Sequence, residues 1–243
     1  MVSLTLIHGF TQDSGVWTEV ESQLPTDWAV MAIDLPGHGR NRQLRASSQS
    51  EFLAMTRETL KERNPDVVNV LCGYSMGARV ALALAAAEPD RWDHVVAISS
   101  GGGIYSEEAR NSRREADEGI ANKYLDEGWL EEFASYWDSL PIWAGDPQHV
   151  GESRIQMLLK QDPAGLASAL RSFGQGAATP FSGFEHGDEP VVTVIRGERD
   201  AAYVEPAQRL ATLTSGSPVV IPGGHSLVLE NPRALADALK SVC

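Results

Sequence analysis

Gly73-Tyr74-Ser75-Met76-Gly77 lies between an apolar run, Val67-Val68-Asn69-Val70-Leu71-Cys72, and an alanine- and leucine-rich segment from Ala78 to Ala87. The run is rich in β-branched residues and reads as a buried strand; the segment after it reads as a helix. A turn tight enough to join the two strains its central residue and needs neighbours without bulky side chains, which the glycines supply. Ser75 is thereby held out at the C-terminal end of a strand, where a helix N-terminus favours developing negative charge. By itself the pentapeptide could equally be a chance match or a glycine-rich phosphate loop. Its surroundings decide between these.

On the N-terminal side, Val2 to Ile7 is a short strand running into His8-Gly9-Phe10-Thr11, with a helical pattern from about Ser14 through Leu24. Trp28 to Asp34 gives a second strand, stopped by Leu35-Pro36-Gly37-His38-Gly39, and Glu51 to Glu62 an amphipathic helix with Phe52, Met55, Thr59 and Leu60 toward one face. Beyond the serine helix, Val95 to Ser99 makes a fourth strand, and the alternation resumes at Pro190 to Ile195 and Val219 to Ile221. Helices are expected from about Pro206 to Leu213 and Pro232 to Val242, each with a first-turn proline. Strands alternating with helices imply a parallel sheet built by right-handed crossovers. Ile104 to about Asp188 breaks the pattern with charged and aromatic helical segments. The organisation expected is a core of residues 1–103 and 189–243, and a helical cap inserted at 104–188.

A serine nucleophile needs a base, and the chain offers His225 in Gly223-Gly224-His225-Ser226, between the last strand and the last helix. The base needs an acid, and Asp200 closes Arg196-Gly197-Glu198-Arg199-Asp200, just after the Val191 to Ile195 strand. Ser75, Asp200 and His225 thus occur in the order nucleophile, acid, histidine, each at the C-terminal end of a strand. Charge developing on a substrate oxygen calls for backbone donors. Met76, after the serine, and Phe10, on the loop of the first strand, are the candidates. His8 could be a second base, but a loop histidine bonded to its neighbours is the simpler reading, and the same holds for Asp34 and His38.

The 243 residues fit one domain, since single α/β domains reach about 250 residues. With 42% hydrophobic and 22% charged residues the composition is that of a globular protein, and no apolar run reaches the roughly 20 residues of a membrane span. The N-terminus carries no basic leader, so a cytoplasmic protein is expected. The net charge of -13 argues against nucleic acid or anionic membrane partners. Cys72 and Cys243 make neither a disulfide framework nor a metal knot. No cofactor and no metal is expected, and a monomer or small homo-oligomer is.

These motifs, His8-Gly9-Phe10, Asp34-Leu35-Pro36-Gly37-His38-Gly39, the serine pentapeptide, Gly197-Glu198-Arg199-Asp200 and Gly224-His225, resemble the α/β-hydrolase superfamily over essentially the whole chain. The resemblance implies an α/β-hydrolase fold, a mostly parallel central sheet flanked by helices, with an inserted helical cap and a shortened N-terminal sheet edge that lacks the usual first hairpin. Finer features resemble one family within it, the 2-succinyl-6-hydroxy-2,4-cyclohexadiene-1-carboxylate synthases of menaquinone biosynthesis, lyases that eliminate pyruvate from a polycarboxylate. Tyr74 before the serine and Arg79 one turn after it match that family's serine motif. Glu108 to Asp117 resembles its first cap segment, in which Arg113 would contact substrate. Phe133-Ala134-Ser135-Tyr136-Trp137 matches its tryptophan element and sets Trp137 at the pocket. Lys160, before Asp162-Pro163-Ala164-Gly165-Leu166, falls where the family places a further substrate arginine; a lysine there offers a point charge instead of a planar fork.

The resemblance implies a small-molecule polycarboxylate substrate held by Tyr74, Arg79, Arg113, Trp137 and Lys160, with Ser75 acting as a base. The residues themselves leave plainer readings open: Arg79 as an exposed helix arginine paired with an acid, Arg113 as part of a solvated charged face, Trp137 as a cap core aromatic. Two rival functions also stay open, a serine hydrolase using the same triad, and a ligand-binding receptor on the same fold.

Overall fold

A computed structural model describes residues 1–184 and 189–242. Six strands, β1 (Val2–Ile7), β2 (Ala29–Ile33), β3 (Val68–Tyr74), β4 (His94–Ile98), β5 (Val191–Gly197) and β6 (Val219–Ile221), form one sheet in the order β2-β1-β3-β4-β5-β6. Every pairing is parallel, with Leu6 opposite Cys72, Cys72 opposite Val96, and Ile98 opposite Ile195. Side chains alternate across a strand, so both faces of the sheet are covered. Leu71, Val95 and Val194 join one core cluster, while their neighbours Val70, Val96 and Ile195 join the other.

The helices are α1 (Thr18–Glu21), α2 (Gln49–Glu58), α3 (Met76–Ala87), α4 (Glu107–Ile120), α5 (Leu130–Asp138), α6 (Gln148–Leu158), α7 (Pro163–Phe173), α8 (Val204–Leu213), α9 (Leu227–Glu230) and α10 (Pro232–Val242). The helix expected from Ser14 to Leu24 is instead a 3-10 turn, Ser14–Trp17, followed by the single turn of α1. Val16, Trp17 and Val20 are all buried there, so side-chain packing holds a segment too short to be helical by propensity. Helix α2 starts earlier than expected because Ser48 caps it, accepting from the Glu51 N–H at 3.2 Å while the Glu51 carboxylate accepts from Ser47 N at 2.7 Å.

Four helices, α4 to α7, lie between β4 and β5, and no strand interrupts them among the described residues. They build a third apolar cluster around Leu125, Phe133, Leu158, Leu166 and Leu170, against which Phe10 of the β1 loop packs. Asp162 caps α7 by accepting from Gly165 N at 3.1 Å, and Pro163 opens it. That end is clamped to the core. A Cβ on either Gly37 or Gly165 would collide with the other residue's carbonyl, and Arg45 pairs with Asp162. Residues 185–188, the last of the segment expected to form the cap, and Cys243 lie outside the described residues.

Candidate active site

Strand β3 ends in Tyr74, and Ser75 follows in a conformation that side chains rarely adopt, φ 54° and ψ -109°. A Cβ at position 73 would strike the Gly77 carbonyl, and one at 77 would strike the Ile7 and His8 carbonyls, so both glycines are required by close backbone approach. The strained serine presents its hydroxyl to His225, with Oγ 3.2 Å from Nε2, and His225 Nδ1 lies 2.8 Å from Asp200 Oδ2. Asp200 and His225 are buried and Ser75 is half-buried. The three residues expected from separate loops therefore meet in one hydrogen-bonded line. A neutral imidazole held this way can take the serine proton while the carboxylate steadies the charge that results.

The N–H groups of Phe10 and Met76 bond no acceptor among the described residues and flank the serine loop. Both residues line a cavity of about 260 Å³ with Ser75, His225, Tyr74, Arg79, Arg113 and Trp137. Donors fixed before reaction cost no reorganisation when an oxyanion forms. Phe10 is held by edge-on ring contacts to His38 at 5.6 Å and Trp137 at 5.3 Å.

His8, His38 and Asp34 support this loop and do not line the cavity. His8 Nε2 accepts from Leu35 N at 3.0 Å and Nδ1 lies 2.7 Å from the Gly9 carbonyl; His38 accepts from Thr11 N at 3.3 Å. Burial lowers the pKa of both, and with the repulsion of His8 that of His38 falls to about 3. Burial works against Asp34 as an anion, yet the Arg40 and Ser14 N–H groups and the Arg40 guanidinium outweigh it and hold its pKa at about 2.

The charged candidates differ among themselves. Arg79 is 8% exposed, which excludes an exposed arginine, and its guanidinium forms no ion pair or hydrogen bond with any described residue. Burial lowers its pKa, and Arg113 nearby adds repulsion. Arg113 is only partly solvated: its Nε donates to the buried Asp117 at 2.7 Å and its Nη1 to Gln175 Oε1 at 2.9 Å. Trp137 serves both purposes considered for it, packing on Phe133 at 5.6 Å and lining the cavity. Tyr74 packs beside His225 at 5.6 Å, and burial raises its pKa so that the phenol stays protonated.

Lys160 is a correction. It is exposed, lies just beyond α6 and does not line the cavity. The inward face of α6 is Val150, Arg154 and Leu158, four residues apart, and Lys160 is two residues further, roughly 200° around the helix. The cation that α6 buries is Arg154, 3% exposed. It donates to Asp146 Oδ2 at 2.7 Å and to Ser226 Oγ at 3.3 Å, pairs with Asp138, and lies 4.1 Å over the Trp143 ring. Trp143 in turn meets the His225 ring edge-on at 5.4 Å. The spacing Val150-Arg154-Leu158 is the signal that could have found it.

Gln12, Trp143, Gln175 and Tyr203 also line the cavity and escaped the sequence reading. Tyr203 had one available sign, its position three residues after Asp200 on the same loop; its ring lies 4.8 Å from that of His225.

Residues 6–238 match the family model described as the alpha/beta hydrolase family, and the chain belongs to that family of enzymes. Among its relatives is a putative 2-succinyl-6-hydroxy-2,4-cyclohexadiene-1-carboxylate synthase of Bacillus subtilis, 28% identical over 95% of this chain and 86% of the relative. The synthase of an Enterobacter species is 27% identical over 98% of this chain and 90% of its own. Among solved structures, MenH from S. aureus matches with a TM-score of 0.85 at 26% identity, covering 98% of this chain and 92% of that one. A thermophilic esterase from Thermogutta terrifontis shares the fold, with a TM-score of 0.76 at 22% identity over 99% and 89% of the two chains.

Proposed function

We propose that this protein is a carbon-oxygen lyase of menaquinone biosynthesis. It would convert 2-succinyl-5-enolpyruvyl-6-hydroxy-3-cyclohexene-1-carboxylate into 2-succinyl-6-hydroxy-2,4-cyclohexadiene-1-carboxylate and pyruvate. The relatives that carry the synthase name support the reading. The observation that carries it is Arg79, a buried guanidinium that lines the cavity beside Ser75 and has no hydrogen-bond or ion-pair partner among the described residues. In a chain of charge -13, such a cation suits an anionic substrate.

In this reading Asp200 orients His225, His225 takes the Ser75 proton, and the alkoxide removes a ring proton of the substrate. The electrons of the broken C–H bond form the new ring double bond as the carbon-oxygen bond to enolpyruvate breaks. The departing enolate takes up a proton and becomes pyruvate. Phe10 and Met76 N–H hold the developing oxyanion, Arg79 and Arg113 hold carboxylates, and Tyr74 and Trp137 flank the ring. Residues 104–188 act as a cap over a core of 1–103 and 189–243.

Incubating the purified protein with that intermediate and following pyruvate tests the reading. Release is expected from the wild type, with a loss of about a thousandfold or more in Ser75→Ala; no release from the folded wild type sinks it. The strained Ser75 beside two N–H groups that bond no acceptor among the described residues also favours a second reading, a serine hydrolase. An acyl-enzyme burst with an activated ester, without pyruvate release, would select that one.

A further inference from the structure

Gln12 lies on the loop that follows β1 and carries the Phe10 N–H, and it is 2% exposed, an unusual depth for a glutamine. Its Oε1 accepts from Gly9 N at 3.2 Å. A backbone N–H can only donate, so the carboxamide oxygen must face Gly9, and this fixes the other end of the amide as the NH2 group. That NH2 carries two protons and meets no acceptor among the described residues.

The loop is built to hold the amide there. Thr11, a β-branched residue, takes a φ of 69°, a conformation kept only where the surroundings impose it. The turn it makes brings the Gln12 side chain back to Gly9. A Cβ at position 9 would lie 3.0 Å from the Tyr74 ring and 3.2 Å from Gln12 Oε1, so Gly9 is closely flanked by both side chains. Gln12 thus sits near the residue that precedes Ser75 and two places after Phe10, and it lines the Ser75 cavity with them.

Of the two glutamines that line this cavity, one is fully engaged. Gln175 Oε1 accepts from Arg113 Nη1 at 2.9 Å, and its Nε2 donates to the Tyr203 hydroxyl at 2.7 Å. Gln12 engages its oxygen and leaves its nitrogen. Whatever displaces water from that NH2 must offer an acceptor or leave a buried donor unpaired. Charge decides which acceptor. A carboxylate is better matched by the guanidinium groups of the same cavity, whereas a neutral NH2 suits a neutral oxygen.

We propose that Gln12 is a specificity-determining residue of the Ser75 cavity: its NH2 donates to an uncharged oxygen of the substrate, a hydroxyl or a ketone, while its own oxygen anchors Gly9. The inference rests on the reading above in taking this cavity as the substrate site. The substrate named there carries both kinds of oxygen, a ring hydroxyl and the ketone of the succinyl arm.

Two pairs of acids, each pair differing by one oxygen, test it by calorimetric titration into the wild-type protein. For the hydroxyl, 2-hydroxycyclohexane-1-carboxylate is set against cyclohexanecarboxylate; for the ketone, 4-cyclohexyl-4-oxobutanoate is set against 4-cyclohexylbutanoate. In at least one pair the oxygen-bearing acid should bind about five- to tenfold more tightly, and that pair identifies the oxygen recognised. In Gln12→Met, which keeps the side-chain length and loses the amide, the ratio should fall to within about twofold. A role confined to shaping the loop would weaken both members of a pair alike and leave the ratio as in the wild type. Should Gln12→Met fail to fold, Gln12→Glu keeps an oxygen for the Gly9 N–H and removes the donor; its added charge acts on both acids and cancels in the ratio. Equal affinity or no binding in both wild-type pairs overturns the inference, as does a ratio that survives loss of the amide. Pyruvate release is scored separately. A Gln12-dependent ratio without pyruvate release leaves the inference standing and removes the lyase reading; pyruvate release with a ratio indifferent to Gln12 does the reverse.

Discussion

Arg154 and Arg79 are both buried, both close to the Ser75–His225 pair, and opposite in circumstance. Arg154 has two carboxylates, a hydroxyl and an indole face around its guanidinium; Arg79 has no protein partner among the described residues. The first neutralises itself within the fold and ties α6 to Ser226, the residue after His225. The second is a desolvated charge with no direct ion pair or hydrogen bond among the described residues, which costs stability wherever no ligand offsets it. A cation that the fold uses is thus distinguished from a cation held ready for something else. The distinction lies in partners and not in depth of burial.

The largest effect should come from breaking the first. Arg154→Met leaves Asp146 buried with no cation, and removing one member of a buried pair costs about 3–5 kcal/mol. For a chain of this size that is a fall of roughly 6–20 °C in the melting temperature. Urea unfolding gives the number directly. A loss under about 1 kcal/mol would mean that Asp146 is hydrated and that the cluster does not hold the His225 loop.

Arg79→Met should behave in the opposite way. With no direct partner among the described residues to orphan, its stability should equal or exceed that of the wild type, while KM for the acidic substrate rises about 10- to 100-fold, as expected for one charged hydrogen-bonded contact, and kcat changes little. Destabilisation comparable to that of Arg154→Met would erase the contrast. Unchanged KM would remove Arg79 from the site.

The same contrast explains what the sequence could and could not tell. Ser75, Asp200 and His225 each follow a strand of a parallel sheet, so order along the chain already implies proximity in space. The positions of Phe10 and Met76 follow from the same rule. Cap residues obey no such rule. Helices α4 to α7 pack by side-chain shape, and a residue one or two places along a helix faces a different way; hence Lys160 stood out as a cation while Arg154, on the buried face, did not. Gln175 and Tyr203 became visible only through their mutual hydrogen bond, which joins segments 28 residues apart.

Histidine offers a further check on the rule, because it can discharge where arginine cannot. The His38 pKa is lowered to about 3 by burial and by His8, and burial lowers those of His8 and His94 as well. Above pH 6.5 these groups are neutral in both folded and unfolded chains and contribute no slope. Below pH 6.5 the unfolded chain binds protons that the folded one refuses, so stability should fall with pH, approaching about 1.4 kcal/mol per unit for His38, with His8 and His94 adding in the same direction. Asp34, with its pKa lowered to about 2, contributes loss only below about 3.8, so the interval from 6.5 to 5 belongs to the histidines. Urea unfolding at several pH values in that interval should show the slope, and His38→Gln should reduce it by about one proton. A flat wild-type profile would mean that these rings accept protons in the folded state.

The smallest effect should come from Lys160→Ala. Lys160 is exposed just beyond α6 and does not line the cavity, so its charge is screened by water. An exposed substitution of this kind should stay within about 0.5 kcal/mol of wild-type stability and leave KM within about twofold. The comparison with Arg79→Met, made on the same substrate, then separates two cations that the sequence grouped together. A tenfold rise in KM for Lys160→Ala would require the last turn of α6 to unwind and swing inward when substrate binds.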